Sequence, residues 1–230
     1  MRWEIGIDEA GRGPVIGPLV ITGIKIPVDQ KSYLEEIGVK DSKKLTSKRR
    51  EELYQLLESN RDFQIIQVIY SPAEIDMAVN TIGLNMLEVE GFSDILNRMG
   101  PIDGTIVVDA CDVNTERFAK RIISRLKHWS KDANMVSEHK ADDRHISVAA
   151  ASIVAKYIRD KHIKDLEESL GFEIGSGYPS DPKTIAILPK LMQDDEPNEH
   201  LRWSWKTVKE KWEGDLPKRM VKIQGQETLF

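Results

Sequence analysis

A single cysteine, Cys111, stands in a chain of 230 residues. That excludes an intrachain disulfide framework and a cysteine-based zinc site. Long apolar runs are missing too, since none approaches the roughly 20 residues needed to span a bilayer. The opening Met1-Arg2-Trp3-Glu4 lacks the apolar segment of a signal peptide. A membrane or secreted protein is therefore not expected, and the expected compartment is the cytoplasm. Positive charge is in short supply, with 33 Lys and Arg against 38 Asp and Glu and a net charge of −5. This argues against a surface that coats polyanions generally, but a local basic groove depends on where the charge lies. The composition that remains is 40% hydrophobic and 31% charged. It is that of a globular protein with a charged surface, sized for one main domain plus an appendage.

Residues 2–7 read as a strand that ends at Asp8-Glu9, and Gly11-Arg12-Gly13-Pro14 then breaks the chain. Leu19 to Ile26 resumes as a β-branched strand, and Phe63 to Tyr70 predicts a third. From Ser47 the spacing of Leu53, Leu56 and Leu57 predicts a helix, as does that of Leu84, Leu87 and Ile95 over 84–98. Thr105–Asp109 reads as a strand, followed by a helix from about Thr115 and a short strand over Asn134–Glu138. A long helix runs from Ser147 to Leu170, its alanines permitting close packing. After Gly175-Ser176-Gly177-Tyr178-Pro179 the character changes, and 182–193 and 203–213 read as helices. A soft boundary is placed near residue 180. Strands in meander order, then strands alternating with helices, predict an α/β mixed sheet flanked by helices, with a small helical C-terminal part.

Carboxylates stand at the ends of these strands: Asp8 and Glu9, then Asp109, with Asp142 just ahead of the Ala-rich helix. Each is also an ordinary turn residue. Neighbouring strand residues point to opposite faces, so Asp8 and Glu9 meet one site only if the chain bends there. Four converging carboxylates would repel strongly without a cation among them. Hard divalent ions such as Mg²⁺ take oxygen ligands and share them with substrate phosphates. Such a cluster suits in-line phosphoryl displacement. Asp112 and Asp143 are near neighbours read as supporting or solvated. His139 and His145 show no zinc-ligand spacing, and His145 is given no catalytic role.

Gly6-Ile7-Asp8-Glu9-Ala10-Gly11-Arg12-Gly13-Pro14, Lys40-Asp41-Ser42-Lys43-Lys44-Leu45, Asp109, His139-Lys140-Ala141-Asp142, Ala150-Ala151-Ser152-Ile153-Val154-Ala155-Lys156 and Gly175-Ser176-Gly177-Tyr178-Pro179-Ser180-Asp181-Pro182 follow one another in a set order. In that order the chain resembles the type 2 ribonucleases H, and most of all their single-chain archaeal members. The resemblance runs from residue 2 to about 182, with a weaker echo in Trp205-Lys206-Thr207. It implies an RNase H-like fold with a five-stranded mixed sheet. It further implies cleavage of RNA in RNA–DNA hybrids and at ribonucleotides embedded in duplex DNA, giving 3′-hydroxyl and 5′-phosphate ends. Asp8, Glu9, Asp109 and Asp142 match the family's metal-binding carboxylates, with Mg²⁺ or Mn²⁺ as cofactor. The type 3 relatives carry an extra N-terminal domain, for which a strand starting at residue 2 leaves no room.

Gly11-Arg12-Gly13 fails the dinucleotide fingerprint, because a strand rather than a helix follows it. Glycines beside an arginine let the backbone approach a ligand. By the resemblance this segment contacts the 2′-hydroxyl, the group that distinguishes RNA from DNA. Tyr178 reads either as a half-buried tyrosine or, by the resemblance, as its partner at an RNA-to-DNA junction. Lys43 and Lys44, followed by Lys48-Arg49-Arg50, read as a solvated face or a phosphate-tracking patch. The family match favours the patch. Ser152 and Lys156 lie four apart on one helix face and match residues that hold a phosphate.

The tail Gln226-Glu227-Thr228-Leu229-Phe230 opens like a sliding-clamp-binding peptide but stops at one aromatic residue, Phe230. Gln226, Leu229 and Phe230 are the candidate clamp contacts, and a frayed terminus is the alternative. The expected organisation is a catalytic domain over 1–180, a helical segment over 181–222 and a tail over 223–230, acting as a monomer. Two other functions fit some of these features: another nuclease of the same fold, acting on branched DNA, and a clamp-tethered nucleic-acid-binding module.

Overall fold

The structure, a computed structural model, describes residues 2–39, 45–130, 132–193 and 197–214. Its elements in chain order are β1 (Trp3–Ala10), β2 (Leu19–Pro27), α1 (Lys31–Glu36), α2 (Ser47–Ser59), β3 (Gln64–Tyr70), α3 (Pro72–Thr81), α4 (Leu84–Met99), β4 (Gly104–Asp109), α5 (Thr115–Ile123), β5 (Ala133–Glu138), α6 (Ile146–Leu170), α7 (Pro182–Leu191) and α8 (Lys206–Lys209). The strands form one five-stranded sheet in the order β3-β2-β1-β4-β5. β1 runs antiparallel to β2 and parallel to β4, and β4 runs parallel to β5. The expected mixed sheet is therefore present, with its parallel half built around β4.

Two compact units divide the chain. The first comprises Met1–Ala10, Val20–Val68 and Glu88–Ile158, and holds nearly all of the sheet. In it Val20, Ile24 and Ile26 of β2 share a buried cluster with Leu53 and Leu57 of α2 and with the alanines 149–151 and 155 of α6. The small α6 residues let the helix lie close to the strands. At Gly6 strand and helix meet without room for a side chain, since a Cβ there would stand 2.2 Å from the Ser147 carbonyl carbon.

The second unit gathers Gly11–Leu19, Ile69–Leu87 and Arg159–Phe230. Its core joins Val15 and Ile16 to Ile163, Leu166, Ile174, Leu188, Leu201 and Trp203. The contacts thus group the chain differently from a cut near residue 180. Gly11–Leu19 belongs with the C-terminal residues because Ile16 bridges to Leu201 and Arg202 N–H donates to the Val15 carbonyl at 2.9 Å.

Three local expectations need correction. β1 does not stop at Asp8-Glu9 but continues through Ala10, because Asp8, Glu9 and Ala10 all pair with β2. The helix expected over 203–213 shrinks to Lys206–Lys209, since the backbone ahead of it is committed to the 11–17 segment. Two helices, α1 and α3, were not anticipated. The start of α3 carries a readable signal, a capping box in which the Ser71 hydroxyl accepts from Glu74 N–H and the Glu74 carboxylate accepts from Ser71 N–H at 2.8 Å.

Candidate active site

The parallel pairing of β1 with β4 ends at Ile7 and Val108, so Asp8, Glu9 and Asp109 stand just beyond it, at the carboxyl ends of two adjacent strands. In open sheets of this kind, ligands bind outside those ends. Alternation along β1 places Glu4, Gly6 and Asp8 on one face. All three meet α6: Ser147 Oγ donates to Glu4 at 2.7 Å, Gly6 lies against the Ser147 and Val148 backbone, and Asp8 bonds the Ser152 hydroxyl. Glu9 follows Asp8 in β1, half-buried, and its N–H donates to Asp8 Oδ1 at 2.8 Å.

Asp8 is buried, and burial above all pushes its carboxyl up to about 7. The neighbouring Asp109 charge pushes the same way, while Ser152, Lys156 and the Glu9 N–H pull it down. Asp109 is also raised, first by burial and then by Asp142, against the pull of the Ala141 and Lys140 N–H groups and of His139. Ala141 N–H reaches Asp109 Oδ1 at 3.3 Å. That donor is aimed by Lys140, the one non-glycine among the described residues with positive φ, at 56°. Asp142 follows in a buried 3-10 turn over Ala141–Asp143, whereas Asp143 is exposed.

Asp142 raises Asp109 and Asp109 raises Asp8, so the three carboxylates share one electrostatic neighbourhood. Among the described residues no group of three or more His, Cys, Asp or Glu side chains is gathered as a ready metal cage. The donors are nevertheless all hard carboxylate oxygens whose charges oppose one another, and a divalent cation relieves that repulsion. Mg²⁺-type ions need only one or two carboxylates beside waters and substrate phosphates. The residues fit such an ion.

Ser152 is fully buried and Lys156 Nζ donates to its hydroxyl at 2.7 Å, so the pair leads to Asp8. His145 bonds Glu138, and His139 Nδ1 lies 3.0 Å from the Ala110 carbonyl. Asp112 is not solvated: it is 1% exposed and is gripped by Arg117 and Arg121 of α5. Arg117 beside it holds its carboxyl below the usual range. Its contribution to stability is therefore present above the ordinary carboxylate pKa and lost as pH falls through the lowered one. Asp112→Asn is expected to melt below the wild type at neutral pH, with the difference closing in acid. A gap in melting temperature that persists in strong acid would exclude the ion pair as its cause.

The second unit holds the other candidates. Tyr178 lies against Gly13, where an added Cβ would meet its ring at 3.5 Å, and Arg159 lies over the same ring at 5.0 Å. The Arg12 guanidinium donates to Asn85 Oδ1 at 2.7 Å. Sequence reasoning missed Asn85, Arg159, Arg202 and Trp205. The available signal for Arg202 was a cation wedged between Leu201 and Trp203. Lys43 and Lys44 lie outside the described residues, as do Gln226, Leu229 and Phe230.

Carboxylates at the parallel strand ends of a mixed sheet are an arrangement that suits a metal-dependent nuclease. The family model described as ribonuclease HII matches residues 5–208. A ribonuclease HII of Thermococcus onnurineus is 44% identical over 225 residues, covering 97% of this chain and 96% of that protein. The solved ribonuclease H2 of Pyrococcus horikoshii matches at TM-score 0.80 and 41% identity, over 90% of this chain and 96% of that one. The ribonuclease HII of Archaeoglobus fulgidus, solved as a PCNA complex, matches at TM-score 0.78 and 35% identity, over 88% and 95%. The chain belongs to the ribonuclease HII family. It is a metal-dependent endoribonuclease of the ribonuclease H class. Among the described residues no helix is long and apolar enough to cross a membrane.

Proposed function

We propose that this enzyme cleaves the RNA strand of RNA–DNA hybrids and cuts duplex DNA at embedded ribonucleotides, leaving 3′-hydroxyl and 5′-phosphate ends. The observation that carries the reading is the pair Asp8 and Asp109 at adjacent parallel strand ends, each raised by burial and by a neighbouring carboxylate. Asp8, Glu9, Asp109 and Asp142 hold Mg²⁺ or Mn²⁺. The bound ion supplies activation of water and stabilisation of the charge that develops on the phosphate. Ser152 and Lys156 orient Asp8, and Lys156 together with Lys43 and Lys44 tracks substrate phosphates. Gly11, Arg12, Gly13 and Tyr178 read the ribose 2′-hydroxyl, which only RNA offers.

Residues 1–180 supply the catalytic part and 181–222 a helical segment. The tail, through Gln226, Leu229 and Phe230, binds a sliding clamp, a reading supported by the PCNA complex of the Archaeoglobus relative. The enzyme acts as a cytoplasmic monomer.

The test is cleavage of an end-labelled DNA duplex carrying one ribonucleotide, with all-DNA and all-RNA duplexes as controls and Mg²⁺, Mn²⁺ or EDTA present. A metal-dependent cut on the 5′ side of the ribonucleotide alone is expected. A long hybrid that is cut while the single-ribonucleotide duplex stays intact would remove the junction reading. Binding without any cleavage would favour a nucleic-acid-binding module.

A further inference from the structure

Arg202 has no exposed surface, yet its side chain donates to main-chain carbonyls rather than to a carboxylate that would offset its charge. Its Nε reaches the Gly17 carbonyl at 2.9 Å, and its two terminal nitrogens reach those of Arg12 at 3.2 Å and Gly11 at 2.7 Å. Its guanidinium lies over the Trp205 ring at 5.0 Å, and Trp205 Nε1 donates to the Gly13 carbonyl at 3.1 Å. The Asp76 carboxylate, whose charge favours the Arg202 cation without a hydrogen bond to it, is bonded by the N–H groups of Trp203 and Ser204 and by the Ser204 hydroxyl. A desolvated cation is costly to keep. What offsets that cost is the set of carbonyls it satisfies, all of them on the 11–17 segment.

The three successive carbonyls of Gly11, Arg12 and Gly13 are thus all claimed by Arg202 and Trp205. No peptide bond among the described residues is cis. In a trans peptide the carbonyl and the following N–H point to opposite sides. Fixing the Gly11 and Arg12 carbonyls on the guanidinium therefore turns the N–H groups of Arg12 and Gly13 away from it, both to one side. Gly11 at φ 91° supplies the left-handed turn this needs, and a Cβ there would stand 2.5 Å from the Pro18 carbonyl oxygen. Successive N–H groups on one side of such a turn make a concave donor site.

We propose that Arg202, seconded by Trp205, is the positioning residue that holds the Gly11–Gly13 backbone in the form that reads the ribonucleotide's 2′-hydroxyl. This rests on the reading of Gly11–Gly13 proposed above. A lysine cannot substitute, because a single ammonium does not span three carbonyls in a fixed fork.

The test uses the full chain in EDTA, so that no turnover occurs. Fluorescence anisotropy measures affinity for a DNA duplex with one ribonucleotide and for the matched all-DNA duplex, in wild type, Arg202→Lys and Trp205→Phe. Wild type is expected to prefer the ribonucleotide about tenfold, the worth of one or two hydrogen bonds. Arg202→Lys is expected to bring that ratio to within about twofold of unity while all-DNA affinity holds within about twofold. A purely structural role would weaken both duplexes together and leave the ratio, and that result overturns the proposal. A wild type without preference overturns the reading of Gly11–Gly13 itself, whereas a preference kept intact in Arg202→Lys overturns only the role of Arg202. If Arg202→Lys does not fold, Trp205→Phe decides, since it keeps an aromatic face for the guanidinium and loses the bond to Gly13. Its ratio should fall about threefold, and an unchanged ratio overturns the proposal.

Discussion

Asp8→Asn and Asp109→Asn are each expected to lose more than about 100-fold of the cleavage rate while keeping duplex affinity, the scale on which removing one charge-stabilising group acts. Asparagine preserves the size of the side chain and the oxygen that accepts the Glu9 N–H. What it removes is the negative charge, and with it the hold on a divalent cation. The same change should raise the stability of the metal-free protein, because burial and the Asp109 charge both oppose an ionised Asp8. Added Mg²⁺ should raise the melting temperature of the wild type more than that of Asp8→Asn. Rates near wild type in both variants would sink the carboxylate assignment. A slow Asp8→Asn enzyme that also melts lower would point to misfolding rather than lost chemistry.

A large structural effect is expected at Gly6. An alanine methyl would lie 2.2 Å from the Ser147 carbonyl carbon and 2.4 Å from both the Ser147 oxygen and the Val148 nitrogen. These are main-chain atoms and cannot swing aside as a side chain would. Either β1 or the start of α6 must move, and the overlap is expected to cost about 3 kcal/mol or more. In a chain of this size that is a fall of roughly 6–12 °C in Tm. Because α6 also carries Ser152, its displacement should lower activity in the fraction that remains folded. A Gly6→Ala protein within about 0.5 kcal/mol of wild type in chemical denaturation, the range of a neutral surface change, would show that the contact relaxes freely.

Much of the frame was legible because it is local. β-branched runs marked β2, β3 and β4, and the 3.6-residue spacing marked α2 and α4. The alanines of α6 announced close packing before the strand they pack on was known. The carboxylates could be placed at strand ends, but their grouping depends on which strands are neighbours. That is a long-range property, and so is the extension of β1 through Ala10, which pairing with β2 imposes. Glu9 shows the consequence: its identity was readable, while its place opposite Ile21 of β2 follows from that pairing. Arg202 was hidden for the same reason, since its side-chain partners lie 185, 190 and 191 residues away. No window of sequence contains both ends of such a bond.

That separation also sets a time during synthesis. Gly11, Arg12 and Gly13 leave the ribosome about 190 residues ahead of Arg202 and Trp205. At about 5–20 residues per second, the early segment waits roughly 10–40 s for the side chains that take up its carbonyls. Through that interval the nascent chain holds Asp8 and Asp109 without the bonds that fix the Gly11–Gly13 carbonyls. Synthesis through Trp205 is therefore a precondition for the finished geometry, and a chain stalled before residue 202 carries the strand-end carboxylates without it.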